Sequence, residues 1–259
     1  MISVLLVLLS ASVIAEDGED IAQQLANPVA SLISVPLQLN YDEGYGADED
    51  GSLLRLNVQP VIPFDLSQDW NLISRTILPI LYQEDFPTPG SSDWGLGDTL
   101  QSAFFSPKEP TSGGWILGVG PALLLPTATE KSLGSEKWGV GPTAVALKQS
   151  QAWTYGALTN HIESFAGESD RVDISATFVQ PFLTYITPTK TTIALNTEST
   201  YDWEASKWSV PINFTVTQLL VIGDQIVSVG GGVRYWATSP DPAAEGWGAR
   251  LIFTLVYPQ

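Results

Sequence analysis

The sequence predicts an all-β chain: a single antiparallel, up-and-down transmembrane β-barrel of about twelve strands, preceded by a short N-terminal periplasmic segment. Three observations carry that expectation. Only 15% of the 259 residues are charged and 44% are hydrophobic, whereas about a quarter of an ordinary soluble domain is charged. Apolar residues recur with a period of two, over stretches of roughly 10 to 14 residues bounded by Gly, Pro, Asp and Ser. Such stretches are about twice the usual strand length, and a strand tilted by about 45° needs about 9 to 11 residues to cross a bilayer. Finally, Trp and Tyr gather near the ends of the stretches, where aromatic girdles meet the two interfaces.

Residues 1–15 (MISVLLVLLSASVIA) form an uncharged run that closes on Val13-Ile14-Ala15, a small-x-small pattern ahead of Glu16-Asp17. This looks like the apolar segment and cleavage site of a signal peptide. It is too short to span a bilayer as a helix. The mature chain is expected to begin near Glu16, with a periplasmic segment over 16–29 that is helical around 19–27. That segment either plugs the lumen from below or hangs free beneath it.

The barrel itself is assigned to 30–259. Its strands are expected at 30–41, 52–64, 70–82, 95–106, 113–125 and 139–148, then 152–163, 172–187, 191–202, 208–219, 225–238 and 246–257. In the first, Ile33, Val35, Leu37, Leu39 and Tyr41 oppose Ser34, Gln38 and Asn40. In the tenth, Trp208, Val210, Ile212, Phe214 and Val216 oppose Ser209, Asn213, Thr215 and Thr217. The last alternates most cleanly, with Leu251, Phe253, Leu255 and Tyr257 on one face and Arg250, Ile252, Thr254 and Val256 on the other. Those that begin at Gly95, Gly139 and Ala152 alternate weakly.

Connections also alternate in length. Segments 65–69, 107–112, 149–151, 188–190 and 220–224 are compact, while 42–51, 83–94 and 126–138 are longer, the rhythm of periplasmic turns and extracellular loops. The longer ones are acidic, with Asp42, Glu43, Asp48, Glu49 and Asp50 in the first and Glu84, Asp85 and Asp93 in the second. No loop has a calcium-loop pattern, so solvation is the simpler role for these carboxylates. Pro36, Pro60, Pro63, Pro79, Pro121, Pro142, Pro181 and Pro211 fall inside strands. A closed barrel has no edge to accommodate a missing N–H, so bulges are expected there.

Several stretches resemble a bacterial outer-membrane family named for meta-pathway phenol degradation and loosely described as transporters. They include Asn57-Val58-Gln59-Pro60-Val61-Ile62-Pro63, Trp70-Asn71-Leu72-Ile73-Ser74-Arg75-Thr76, Gly95-Leu96-Gly97-Asp98, Gly118-Val119-Gly120-Pro121, Glu136-Lys137-Trp138-Gly139 and the run from Asn196 to Trp203. The resemblance implies an outer-membrane barrel that passes small organic molecules. The final strand resembles the signal read by the barrel-assembly machinery, with Gly248, Leu251, Phe253, Leu255 and Tyr257, and departs from it by ending in Pro258-Gln259.

Composition narrows the chemistry. A formal charge of -17 repels phosphate backbones, and the 11 Lys and Arg form no basic patch, so no nucleic-acid partner is expected. The absence of Cys and the single His exclude thiolate and multi-histidine metal sites, and no cofactor is expected. The expected partners are outer-membrane lipids, small-molecule solutes and, during biogenesis, the assembly machinery.

An even strand number places both termini in the periplasm and turns the polar strand faces toward a lumen. The residues expected to line it are Arg55, Asn57, Gln59, Arg75, Gln180, Asn196, Glu198, Asn213, Arg234 and Arg250. The arginines fall on the second, third, eleventh and twelfth strands, which become one continuous wall once the first strand closes on the last. Glu198, and Asp98 with it, projects from elsewhere at similar height. Two roles fit this charge: a transverse field that orients polar or anionic solutes in a passive channel, or a salt-bridge network that fills a barrel without conductance. A third class, an outer-membrane lipid hydrolase, would need a hydroxyl from Ser164, Ser169 or Ser175 against His161. The simpler place for that imidazole is the girdle or rim.

Overall fold

The computed structural model describes residues 17–257; the expected signal peptide and the terminal Pro258-Gln259 lie outside the described residues. A short helix, α1 (Asp17–Leu25), precedes the strands. In chain order these are β1 (Ile33–Tyr45), β2 (Gly51–Val58, continued as Val61–Asp65), β3 (Trp70–Glu84), β4 (Ser92–Leu96, continued as Thr99–Pro107), β5 (Trp115–Leu125) and β6 (Lys137–Ser150). The second half holds β7 (Trp153–Gly167), β8 (Ser175–Ile186), β9 (Thr191–Thr197, continued as Ser199–Asp202), β10 (Lys207–Ile222), β11 (Gln225–Thr238) and β12 (Gly246–Tyr257).

Every strand pairs antiparallel with its chain neighbour, and β12 returns to β1. The closing seam runs from Ile33 opposite Tyr257 to Tyr41 opposite Ala249. The result is a closed twelve-stranded up-and-down barrel. Closure matters because an unpaired N–H or C=O in hydrocarbon costs several kcal/mol, and a closed ladder has no edge. The short turns lie at one end, here the lower, together with the start of β1 and the end of β12; the remaining loops lie at the upper end.

The outer surface carries the hydrophobic residues. Leu117, Val119, Leu195, Phe214, Val233 and Leu251 are all exposed along a middle band. Tyr82, Trp138, Trp208 and Trp247 ring its upper border, and Trp70, Trp115, Trp153 and Tyr257 its lower one. Neighbouring rings meet across strands, such as Trp153 on Tyr185 at 4.8 Å and Tyr235 on Trp247 at 4.9 Å. A few polar groups share the outward face and satisfy one another, as lipid requires. Thr76 donates to Gln101 Oε1 (2.5 Å), and the Gln101 amide donates to Ser74 Oγ (3.0 Å).

Inside, the barrel is part core and part cavity. Of the two placements open to the N-terminal segment, the structure has the one within the barrel. Ile21, Ala30 and Leu32 pack with Val256, Leu25, Leu219 and Ile226, while Val29 joins Ile73, Phe104, Val145, Leu147 and Leu158. Polar contacts fix it too: the side-chain amides of Gln23 and Gln149 donate to the carbonyls of Gln151 and Gln23 at 2.9 and 2.8 Å.

Two expectations need correction. Prolines do not impose bulges generally: register runs unbroken past Pro36 opposite Thr254, Pro63 opposite Ile73, Pro79 opposite Asn57, Pro121 opposite Pro142 and Pro181 opposite Ala157. A residue in an antiparallel strand directs its N–H and C=O to one neighbour only, so a proline forfeits one bond while its flanking residues hold the pairing. At Pro60 the strand is interrupted without a change of register, and a register shift adjoins only Pro211. The long upper loops are also shorter than expected, because β1 runs to Tyr45, β3 to Glu84, and β4 begins at Ser92. Asp42 and Gln83 are polar because they face the lumen, where both are buried, rather than because they are solvated.

The outward band sets a measurable asymmetry. Phe214→Arg, at mid-depth on β10, is expected to cost about 2–4 kcal/mol in urea unfolding from lipid vesicles, and Trp208→Arg at the upper border about 1 kcal/mol or less.

Candidate functional site

The lumen encloses two cavities, of about 600 Å³ above and about 270 Å³ below. Gln38, Gln59, Arg75 and Gln180 border both and form the neck between them. Arg75 donates to Gln59 Oε1 at 3.2 Å across part of that neck.

Four of the five arginines reach the lumen, from β2, β3, β11 and β12. The seam places them: Asn40 of β1 is opposite Arg250 on one side and Arg55 on the other. Arg250 is buried and fully partnered. Its Nε donates to Asn40 Oδ1 at 2.7 Å, and its two terminal nitrogens donate to Glu198 Oε1 and Oε2 at 2.8 and 2.7 Å. That two-point fork matches guanidinium to carboxylate. Arg234 has a looser environment, with Nη1 3.8 Å from Glu198 Oε2 and Nε 3.1 Å from Asp42 Oδ1. The latter approach is a charge contact but not a hydrogen bond; the Trp236 indole N–H already donates to that oxygen at 3.0 Å. The guanidinium instead lies 5.2 Å over the Trp236 ring, a cation–π contact. Arg55 has no carboxylate partner among the described residues, although it lines the upper cavity.

The other expected lumen residues divide by height. Asn57, Gln59, Gln180 and Glu198 line the upper cavity, and Asn196 the lower. Asn213 is fully buried and donates to Asn196 Oδ1 at 2.9 Å, while its own Oδ1 is unpaired among the described residues. Glu198 does not stand off from the arginines across an open gap. It closes directly on Arg250, from a position where β9 is interrupted opposite Pro211, whose carbonyl accepts the Glu198 N–H at 3.3 Å.

The upper cavity also has an apolar lining: Ile77, Leu100, Phe104, Leu158 and Phe178 border it from β3, β4, β7 and β8. Sequence reasoning did not separate these inward apolar residues from lipid-facing ones, because both read as hydrophobic positions in a strand. It also missed Asp42 and Trp236, whose signal was an acid and an aromatic at strand ends, features shared with loops and girdles.

Both ends of the lumen are covered. Below lies the N-terminal segment, whose Ala22 to Ala30 stretch borders the lower cavity. Above, the loop at 126–136 folds inward, placing buried Leu133 against Tyr45, Leu53, Leu81 and Ala244. Asp98 holds that loop by accepting from the backbone N–H and hydroxyl of Ser135, both at 2.6 Å, and from the Ala128 N–H at 3.3 Å. Arg171 braces it from the next loop by donating to the carbonyls of Lys131, Gly134 and Ser135. Beside it the Lys137 ammonium, 2.8 Å from Asp173, holds that loop carboxyl below its usual range.

His161 faces outward at the upper border, with Nδ1 2.9 Å from Thr177 Oγ1, which also accepts the Trp203 indole N–H at 2.9 Å. Ser164 donates instead to Asp173 and accepts the Ile174 N–H. Among the described residues no serine is bonded to His161. A Thr-held imidazole beside an indole is the arrangement of a girdle.

No family model matches the sequence, and no curated protein matches it. Solved structures do. An outer-membrane channel from Pseudomonas putida F1 superposes with a TM-score of 0.65 at 14% identity, covering 88% of this chain and 96% of that one. The NanC porin gives 0.51 at 9% identity over 88% and 100% of the two chains. Outer membrane phospholipase A from Escherichia coli gives 0.50 at 9% over 93% and 98%. Likeness at these identities speaks to fold alone, and that fold is the bacterial outer-membrane β-barrel, shared here by channels and by a phospholipase.

The charge geometry separates two arginine environments. Glu198→Gln strands two guanidiniums in the wall and is expected to cost about 3 kcal/mol, whereas Arg55→Gln, which breaks no ion pair, should change unfolding free energy by less than about 1 kcal/mol.

Proposed function

We propose that this outer-membrane barrel passes small molecules passively, through the two lumen cavities in series. One observation carries the reading: the interior is not filled. A barrel that serves only as structure packs its inside with side chains, yet here cavities of about 600 and 270 Å³ meet at a neck of amides and one guanidinium. With both termini in the periplasm, the upper loops face outward. A solute would pass beneath the Leu133 loop, lodge beside the arginine wall, and cross the neck, where Gln38, Gln59 and Gln180 offer both donors and acceptors in place of water. The N-terminal segment would then have to yield. The resemblance to the phenol-degradation family supports hydrophobic or aromatic cargo.

The covered ends favour a second reading, a closed barrel held by the Arg250–Glu198 fork and its plug. Liposome swelling with a small neutral sugar separates the two. A variant lacking residues 17–29 is expected to swell liposomes several-fold faster than the full chain. Because the chain has no Cys, Ile21→Cys with Val256→Cys, two members of one buried cluster, gives a second handle: flux should fall on oxidation and recover with reductant. Absence of flux from the full chain, the truncation and the reduced double variant would establish the closed barrel.

A further inference from the structure

The acceptors around the arginine wall are already used. Glu198 gives both oxygens to Arg250, and Asp42 Oδ1 serves the Trp236 indole and Arg234. Asp98 is bound into the loop above. Two cations are left over. Arg55 has no ion-pair partner among the described residues and is exposed to the upper cavity, where its charge repels that of Arg234. Arg75 has only the neutral Gln59 amide in hydrogen-bond contact, with Glu198 near enough to attract it from a distance. Within a chain of formal charge -17, this chamber is locally cationic. In a walled space of low dielectric, such charge is costly to leave uncompensated.

A bare inorganic anion answers only half of the chamber. The same cavity is also lined by Ile77, Leu100, Phe104, Leu158 and Phe178, which gain nothing from a phosphate or chloride and would bury the body of an organic ligand. A volume of about 600 Å³ lies within the roughly 300–1,000 Å³ of small-molecule sites. The planar guanidinium fork fits a carboxylate in two-point fashion.

We propose that the upper cavity is a binding site for a small organic monocarboxylate, its head held by Arg55 and its apolar or aromatic body laid against the Phe104–Phe178 wall. This narrows the passage reading to a substrate class and rests on it for the route by which ligand arrives. Binding itself is separable from flux.

The test uses the full chain in bicelles, titrated calorimetrically with benzoate, benzamide, acetate and inorganic phosphate. Benzoate is expected to bind saturably and at least tenfold more tightly than benzamide, which keeps the ring but lacks the charge. Acetate and phosphate, which lack the ring, should bind at least tenfold more weakly. Arg55→Gln should weaken benzoate about tenfold or more and leave benzamide unchanged; Arg55→Lys should restore part of the loss. Equal binding of benzoate and benzamide, or benzoate affinity unchanged by Arg55→Gln, would overturn the proposal even if neutral sugar passes freely. Saturable, Arg55-dependent benzoate binding by a barrel that never passes sugar would leave the site standing and remove the conduit. Phosphate binding as tight as benzoate would reduce the chamber to an inorganic anion site and also overturn the proposal.

Discussion

The pairing of β12 with β1 is the contact on which the rest of the molecule depends. With the ladder closed, no backbone group faces hydrocarbon unpaired, and a strand's two faces acquire different solvents: lipid without, a confined lumen within. Every polar side chain in a strand must then choose the interior or find a partner on the wall, as Ser74, Thr76 and Gln101 do for one another. The same seam sets Arg250, Asn40 and Arg55 side by side, so the charge centre of the lumen follows from closure as directly as the barrel does.

Charge is sorted by that geometry. Most of the acidity lies at the upper rim, where water solvates it, while four of the five arginines point inward. Inside, they are not equivalent. Arg250 belongs to the structure, because its fork with Glu198 leaves neither group free, and burial makes the pair costly to break from one side. Arg55 belongs to the cavity, where it meets no carboxylate, and Arg75 to the neck, where it donates to Gln59.

Legibility followed the same division. Alternation was readable wherever one face was polar and the other apolar, as in β12, where Arg250 and Thr254 alternate with Leu251 and Phe253. That sufficed for twelve strands and for the arginine wall, since a strand number and a parity place an arginine without further knowledge. It failed where the interior is itself greasy: Phe104, Leu158 and Phe178 carry no sign in the sequence of which side they take. It failed again where lumen polarity imitated a loop, as at Asp42 and Gln83, and at the prolines, whose cost is one hydrogen bond rather than a displaced strand. The inward fold of the 126–136 loop depends on Asp98 accepting from Ser135 and Ala128 across about thirty residues of chain, a contact that no local pattern announces.

The position of the N-terminal segment has a bearing on how the molecule is made. Ile21, Ala30 and Leu32 rest against Val256, Leu219 and Ile226, residues of the last three strands to be synthesised. Half of the berth for the earliest element does not exist until the latest elements are in place. Stopper and staves must therefore be fitted in a particular sequence of events: the head of the chain waits on its tail, and the join that completes the wall also fastens the cork.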